Sequence, residues 1–220
     1  MHDNLAVSAA GTPTSVSLAG SCMQILHRKI MASLQYLDSQ RGSAGFKVFV
    51  MHDMYYEVCK ALGLNQDFEH DKIVSYRGTQ PQAAQNYDGQ TADLMLLNFH
   101  GNVNRRKRGF GGHHVMSIIQ NQFNIRAKND DSRQLIVILD ATMTDLSGEH
   151  IRRLLVSFQA QIESGKLAII LITSLNKYCQ IGFDRFPSGI SADHYAKIVT
   201  FVELENANIC RRANLLLAKF

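Results

Sequence analysis

A serine, a lysine and an arginine share one segment, ITSLNKYCQIGFDRFPSG at residues 172–189, which begins at the end of an apolar run. Ser174 comes three residues before Lys177, and Arg185 comes eight residues after it. A hydroxyl and a guanidinium can bind a phosphate together, and a lysine in a partly dry position loses its proton more readily than in water. The pattern predicts an imine-forming lysine beside a phosphate. The alternative is a surface loop, the commoner setting of a lone Ser-x-x-Lys.

An aspartate, Asp140, follows a second apolar run at residues 134–139. An unbroken aliphatic run is typical of a parallel strand that is covered on both faces. Residues 148–166 then show apolar side chains at the spacing of one helix face, which predicts a strand–helix–strand unit. Ligands of open α/β sheets bind outside the carboxyl ends of the strands. We therefore expect Asp140 and Lys177 to share one crevice.

The rest of the chain alternates between apolar and amphipathic segments. Strands are predicted near 47–51, 72–76, 93–98, 135–139, 167–172 and 197–203, helices at 21–38, 54–63, 114–127, 149–164 and 202–220, and polar loops at 39–45, 78–91, 101–113 and 128–133. This alternation predicts an α/β fold with a mostly parallel sheet. No repeat or long linker divides the chain, so we expect one domain over 1–220.

The order and spacing of these residues resemble the fold-type I pyridoxal 5′-phosphate enzymes, the aminotransferase and cystathionine-lyase superfamily. In that family an aspartate pairs with the pyridine nitrogen and a later lysine forms a Schiff base with the cofactor; here Asp140 and Lys177 are 37 residues apart. The family's phosphate-binding serine and arginine correspond to Ser174 and Arg185. The resemblance implies a three-layer αβα fold, pyridoxal 5′-phosphate as cofactor, and an amino acid or related amine as substrate.

Two further segments resemble parts of that family's cofactor site. LLNFHGNVN is similar to the segment whose asparagine binds the cofactor's phenolic oxygen, which favours Asn102, with Asn98 and Asn104 as alternatives. KVFVMHDMYYEV is similar to the strand and turn whose aromatic ring stacks on the pyridine, which favours Tyr55 over Tyr56. An ordinary polar turn and a core or capping aromatic are the competing interpretations.

The start of the first predicted helix resembles the family's phosphate-binding turn. Gly20, Ser21 and Cys22 lie there, where unpaired N–H groups and a partial positive charge attract an anion. Ser21 is also a good helix cap, and a plain helix start is the alternative. Thr142 joins the expected cofactor-binding residues because it follows Asp140 closely.

The resemblance covers only the large domain of these enzymes, so we expect the C-terminal small domain to be absent. The arginine that binds the substrate carboxylate usually comes from that domain, and no residue is predicted for it here. The reaction is therefore open among transamination, elimination and decarboxylation. Family active sites usually form between subunits, which implies a homodimer.

A basic run at residues 105–108 supports a competing function. Adjacent arginine and lysine side chains beside an aromatic residue suit polyanions, so a catalytically inactive domain of the same fold would use this run to bind a protein or nucleic acid. A net charge of +4 is modest for a nucleic-acid binder. A solvated loop explains the run better, and we expect no nucleic-acid partner.

Composition excludes several other classes of protein. A chain of 220 residues with 45% apolar and 19% charged residues is typical of a globular domain, and no apolar run approaches the ~20 residues that span a membrane. The scattered cysteines favour reduced thiols and a cytoplasmic location. The adjacent His113 and His114 cannot bind one metal from one helix face, so no metal site is predicted. His52-Asp53 and Glu149-His150 are acid–base neighbours without a nucleophile motif.

Overall fold

The computed structural model describes residues 14–52, 54, 56–64, 70–99, 112–142, 149–174 and 189–194. Within these ranges the chain forms an α/β fold around one mixed sheet of eight strands. The strands are β1 (Thr14–Ala19), β2 (Phe46–Val50), β3 (Lys72–Arg77), β4 (Gln80–Asn86), β5 (Leu94–Asn98), β6 (Leu135–Asp140), β7 (Leu167–Ser174) and β8 (Gly189–His194). The helices are α1 (Cys22–Arg41), α2 (Tyr56–Ala61), α3 (Gly112–Lys128), α4 (Glu149–Ser157) and α5 (Gln159–Glu163), and a 3₁₀ turn lies at Gly42–Ala44.

The strand order is β1-β8-β7-β6-β5-β2-β3-β4. The central strands β7, β6, β5 and β2 are parallel, whereas each flanking strand runs antiparallel to its inner neighbour. The expectation of a mostly parallel sheet is therefore wrong, because the parallel part is confined to the centre. The β3–β4 flank is a hairpin joined at Gly78 and Thr79, and such short connections join antiparallel strands.

The central strands form the core of the molecule. Every residue of β5, β6 and β7 is buried, as expected for strands covered on both faces. On α1 the buried side chains recur at helical spacing, among them Ile25, Ile30, Leu34 and Leu37. The rings of Phe123 on α3 and Phe158 stack with their centroids 6.2 Å apart.

The crossover connections explain how both faces become covered. Helix α1 links β1 to β2 and crosses the sheet in the direction opposite to α3, α4 and α5, which lead from β5 to β6 and on to β7. Right-handed crossovers in opposite directions put their helices on opposite faces. Helix α1 contacts α2, and α3 contacts α4, in agreement with this assignment. The arrangement is compatible with αβα layering.

Most predicted elements are confirmed, with shifted ends. The predicted helix at 149–164 is wrong as a single element, because the chain leaves helical geometry at the buried Phe158 and forms α4 and α5. The helix predicted at 54–63 is shortened to α2. The strand predicted at 197–203 and the helix at 202–220 lie outside the described residues.

Three strands of the flanks were not predicted. Strand β4 lies inside the predicted polar loop 78–91. The sequence does not reveal it, because most of its described side chains are exposed and lack the alternation of a half-buried strand. Strands β1 and β8 are short and rich in small polar residues, and they are stabilised by pairing with each other and with β7.

Candidate functional site

The carboxyl ends of the parallel strands bring predicted residues together. Asn98 at the end of β5 is the register partner of Asp140 at the end of β6, and Ser174 ends the neighbouring strand β7. All three residues are buried. Ser174, predicted to lie in a loop, is the last residue of β7 and pairs with Gly189, the first residue of β8. This edge is where open α/β sheets bind their ligands.

Thr142 connects the predicted residues at this edge. Its backbone N–H donates to Asp140 Oδ1 at 2.9 Å, a local turn contact typical of aspartate. Its hydroxyl oxygen accepts the backbone N–H of Ser174 at 3.3 Å and lies 3.6 Å from Cys22 Sγ. Cys22, Asp140, Thr142 and Ser174 therefore form one group, which we call the carboxyl-edge cluster.

The first turn of α1 borders this cluster through Cys22, and the N-terminal end of the helix is capped by contacts in both directions with Gln24. Ser21 has an extended backbone, and its hydroxyl oxygen accepts the N–H of Gln24 at 3.0 Å. The N–H of Gly20 donates to Gln24 Oε1 at 3.1 Å. The capping role expected of Ser21 is thereby confirmed. Two of the polar groups expected to bind phosphate are already bonded to Gln24.

Gly189 lies directly against the start of α1, and its importance was not evident in the sequence. A Cβ atom at this position would lie 2.5 Å from Cys22 Cα and 2.7 Å from Cys22 N. Only glycine permits so close an approach of β8 to the helix. A Ser-Gly pair such as residues 188–189 marks turns in general and does not indicate this contact.

A histidine–carboxylate pair lies at the same edge of the sheet. His52 Nδ1 is 2.5 Å from Asp71 Oδ1, and the backbone N–H of His52 donates to the same oxygen at 2.9 Å. The sequence suggested Asp53 as the partner, and Asp53 lies outside the described residues. The observed partner is 19 residues away in the chain, so sequence adjacency could not reveal it.

Several predicted site residues cannot be compared with this geometry. Tyr55, Asn102, Lys177 and Arg185 lie outside the described residues, as does the basic run 105–108. The alternatives Asn104 and Tyr56 add no side-chain contact to the site, since Asn104 is also outside those residues and only the backbone of Tyr56 is described.

At the opposite edge, the starts of the strands carry a network of charged side chains. Arg41 donates to Asp93 Oδ1 at 2.7 Å, and the backbone N–H of Lys47 donates to Asp93 Oδ2 at 2.9 Å. Arg133 also approaches Asp93, at 3.5 Å, and it donates to Asp131 at 2.5 Å. With Arg126, which lies between the two aspartates, these residues form what we call the amino-edge network.

Burial and charge shift the pKa values in the amino-edge network. Burial lowers the pKa of Arg126, while the carboxylates of Asp131 and Asp93 oppose this change. Burial alone would raise the pKa of Asp131, but hydrogen bonds from Arg133 and the charges of Arg126 and Arg133 outweigh it and leave that pKa below its usual value. The network therefore favours an ionised Asp131.

Comparisons with known proteins identify no family for this chain. No protein-family model matches the chain, and no curated protein matches it.

In the described ranges, no group of three or more histidine, cysteine or acidic side chains is arranged to hold a metal ion. None of the described helices is long and apolar enough to cross a membrane.

Proposed function

We propose that this α/β fold is the large domain of a fold-type I pyridoxal 5′-phosphate enzyme, with Lys177 as the lysine that bonds the cofactor. The observation that supports the proposal most is the carboxyl-edge cluster, in which residues expected at the cofactor's two ends lie together. Lys177 follows Ser174 by three residues in the sequence, and three residues of chain span at most about 11 Å. The substrate is then an amino acid or related amine, and the active form is a homodimer.

Asp140 fits the role of partner to the protonated pyridine nitrogen. Its side chain is buried at the end of β6, and the N–H of Thr142 holds one carboxylate oxygen in place. A carboxylate and a protonated ring nitrogen favour each other's charged forms when they lie in contact. Asp140 thereby keeps the proton on the ring nitrogen.

The cofactor's phosphate is assigned to the Ser174 side of the carboxyl-edge cluster, away from Asp140. The N–H of Gly20 already donates to Gln24 Oε1, whereas the Ser21 hydroxyl accepts the Gln24 N–H and can still donate its own proton. We therefore assign the phosphate contacts to the hydroxyls of Ser21 and Ser174 and to the Arg185 guanidinium. The N-terminal end of α1 adds its partial positive charge, since that helix begins at Cys22 beside Thr142. The sequence expectation named the Gly20–Cys22 turn together with Ser174 and Arg185, and the Gly20 N–H is the donor that leaves this set.

The bound cofactor supplies a ring that accepts electrons from the carbon next to the substrate nitrogen. Lys177 holds the cofactor before the substrate arrives and then moves a proton at that carbon as general base and acid. Thr142 keeps Asp140 and the end of β7 in register through its two hydrogen bonds. The chain's own residues thus bind, orient and transfer protons.

The test is an absorbance titration with pyridoxal 5′-phosphate, followed by borohydride reduction and peptide mass mapping. We expect a cofactor band that Lys177→Ala abolishes and a reduced adduct on Lys177. Lys166→Ala is the matched control, because Lys166 is an exposed lysine that immediately precedes β7, at the opposite edge of the sheet. Labelling spread evenly over both lysines, or no band in a folded protein, would contradict the proposal and favour the binding-module alternative.

Asp140→Asn separates the cofactor contact from the fold. Asparagine keeps an oxygen that can accept the Thr142 N–H, so this contact of the fold is retained. It removes the charge that pairs with the ring nitrogen, so the cofactor should be retained more weakly. Unchanged cofactor affinity in this variant would remove Asp140 from the site.

A further inference from the structure

The His52–Asp71 pair has the geometry of an acid–base device. Asp71 Oδ1 faces the Nδ1 atom of His52 and also accepts the backbone N–H of that residue, so one oxygen contacts both the ring and the backbone of His52. A carboxylate at Nδ1 favours the tautomer with the proton on Nδ1 and the lone pair on Nε2. The imidazole is 18% exposed, so a ligand can approach it.

The topology puts this pair at the edge that holds the carboxyl-edge cluster. His52 lies two residues after β2 ends, and Asp71 immediately precedes the antiparallel strand β3. Met51 joins this end of β2 to β5, since its N–H donates to Leu96 O at 3.1 Å and its sulfur accepts the N–H of Asn98 at 3.5 Å. Strand β6 follows β5 in the sheet.

The separation of the two groups suits a small ligand. Neighbouring strands lie about 4.8 Å apart, so the end of β2 is about 10 Å from the end of β6. A ligand held by Asp140 at one side therefore extends toward His52 across the end of β5. No side chain of the carboxyl-edge cluster is an imidazole, so His52 supplies a kind of proton acceptor that the cluster lacks.

We infer that His52 is the base that deprotonates the incoming amino substrate, with Asp71 as its positioning residue; this inference rests on the proposed function. An amine in its ammonium form has no lone pair with which to attack the cofactor carbon that Lys177 would bond. Nε2 of His52 takes one ammonium proton: an N–H bond of the substrate breaks, its electron pair stays on the amine nitrogen, and a new N–H bond forms on Nε2. The resulting imidazolium pairs with the Asp71 carboxylate.

Two amines of similar size test the inference in protein loaded with pyridoxal 5′-phosphate. Ethylamine is an ammonium ion at pH 7, whereas methoxyamine is already neutral. His52→Gln should slow the capture of the cofactor by ethylamine about 100-fold and change capture by methoxyamine by less than about twofold. If His52→Gln changes the two capture rates equally while the cofactor band is intact, the role of His52 is overturned and the proposed function stands. Absence of the band from the unmodified protein overturns the proposed function, and the amine step with it.

The tautomer provides a readout that needs no cofactor. In ¹⁵N NMR spectra of the histidine rings, His52 should carry its proton on Nδ1 when neutral, Asp71→Ala should shift the proton toward Nε2, and Asp71→Glu should restore it in part. His52 protonated on Nε2 in the unmodified protein would overturn the assignment, because that nitrogen would then have no lone pair to accept a proton.

Discussion

The two ends of the parallel strands hold buried aspartates in opposite surroundings. At the amino edge, Asp93 is contacted by guanidinium groups, with Arg41 at 2.7 Å. At the carboxyl edge, Asp140 accepts a backbone N–H, and a hydroxyl and a thiol lie beside that contact. Guanidinium groups compensate the charge of a carboxylate, so the arginines around Asp93 make the amino edge a source of stability. The contact from the Thr142 N–H instead orients the Asp140 carboxylate, at the edge where open α/β sheets bind their ligands.

The largest expected effect on the free energy of unfolding comes from removing the negative charge of Asp93 at the amino edge. Asp93→Asn keeps the side chain's size but leaves the buried Arg126 and the partly buried Arg41 without this counter-charge. Losing one partner of a buried ion pair costs about 3–5 kcal/mol, which urea unfolding would measure. Glu149→Gln, at an exposed ion pair on α4, should leave stability unchanged. A cost for Asp93→Asn below about 1 kcal/mol would break the contrast between the two edges.

The next effect concerns the contact between β8 and α1. Gly189→Ala forces a methyl group against the backbone of Cys22, and overpacking of this kind costs about 1–3 kcal/mol in unfolding free energy. Gly20→Ala is the control at the same edge, because its Cβ atom would meet only the flexible side chain of Gln24, at 3.3 Å. Similar losses in the two variants would argue against the close approach.

A smaller effect is expected from the hydroxyl that joins β6 to β7. Thr142→Val keeps the shape of the side chain but leaves the Ser174 N–H without its acceptor, at a cost of about 1–2 kcal/mol. Thr142→Ser retains the hydroxyl and should recover most of that loss. Chemical denaturation of the two variants measures the difference, and a serine variant no more stable than the valine variant would show that the methyl group matters at least as much as the hydrogen bond.

The smallest effect is a pH dependence at the amino edge. The pKa of Asp131 is lower in the folded chain than its ordinary value of 3.8, so its contribution to stability is present above about pH 4 and is lost as the pH falls through the folded value. Asp131→Asn should remove that part of the acid destabilisation, by under about 1 kcal/mol. Unfolding curves between pH 5 and pH 2 measure it, and identical acid limbs would contradict the coupling to Arg133.

The sequence predicts the parts of this molecule that depend on local pattern. Unbroken aliphatic runs predict the buried strands β5, β6 and β7, and the polar residues that end them predict the edge at which Asp140 and Ser174 lie. A serine before an amphipathic run predicts the start of α1 at its cap. These features can be predicted from neighbouring residues alone, because strand burial and helix capping follow from local periodicity and side-chain chemistry.

The rest depends on pairings between distant residues. Strands β1 and β8 are paired although at least 170 positions separate every pair of register partners, and no local apolar pattern marks either strand. The amino-edge network joins arginines from three parts of the chain to Asp93, and His52 pairs with Asp71 although helix α2 lies between them in the chain. Charged side chains in a sequence give no indication of which partner folding brings to them.

The register of β7 with β8 has a consequence for the segment between them. Ser174 and Gly189 are paired, so residues 175–188, which include Lys177 and Arg185, are tethered at both ends beside Cys22. Lys177 is three residues from Ser174 and Arg185 is four residues from Gly189, and an extended chain spans at most about 3.6 Å per residue. The pairing of Ser174 with Gly189 therefore limits the backbones of both residues to within about 11 Å and about 14 Å of the carboxyl edge, whatever path the segment takes.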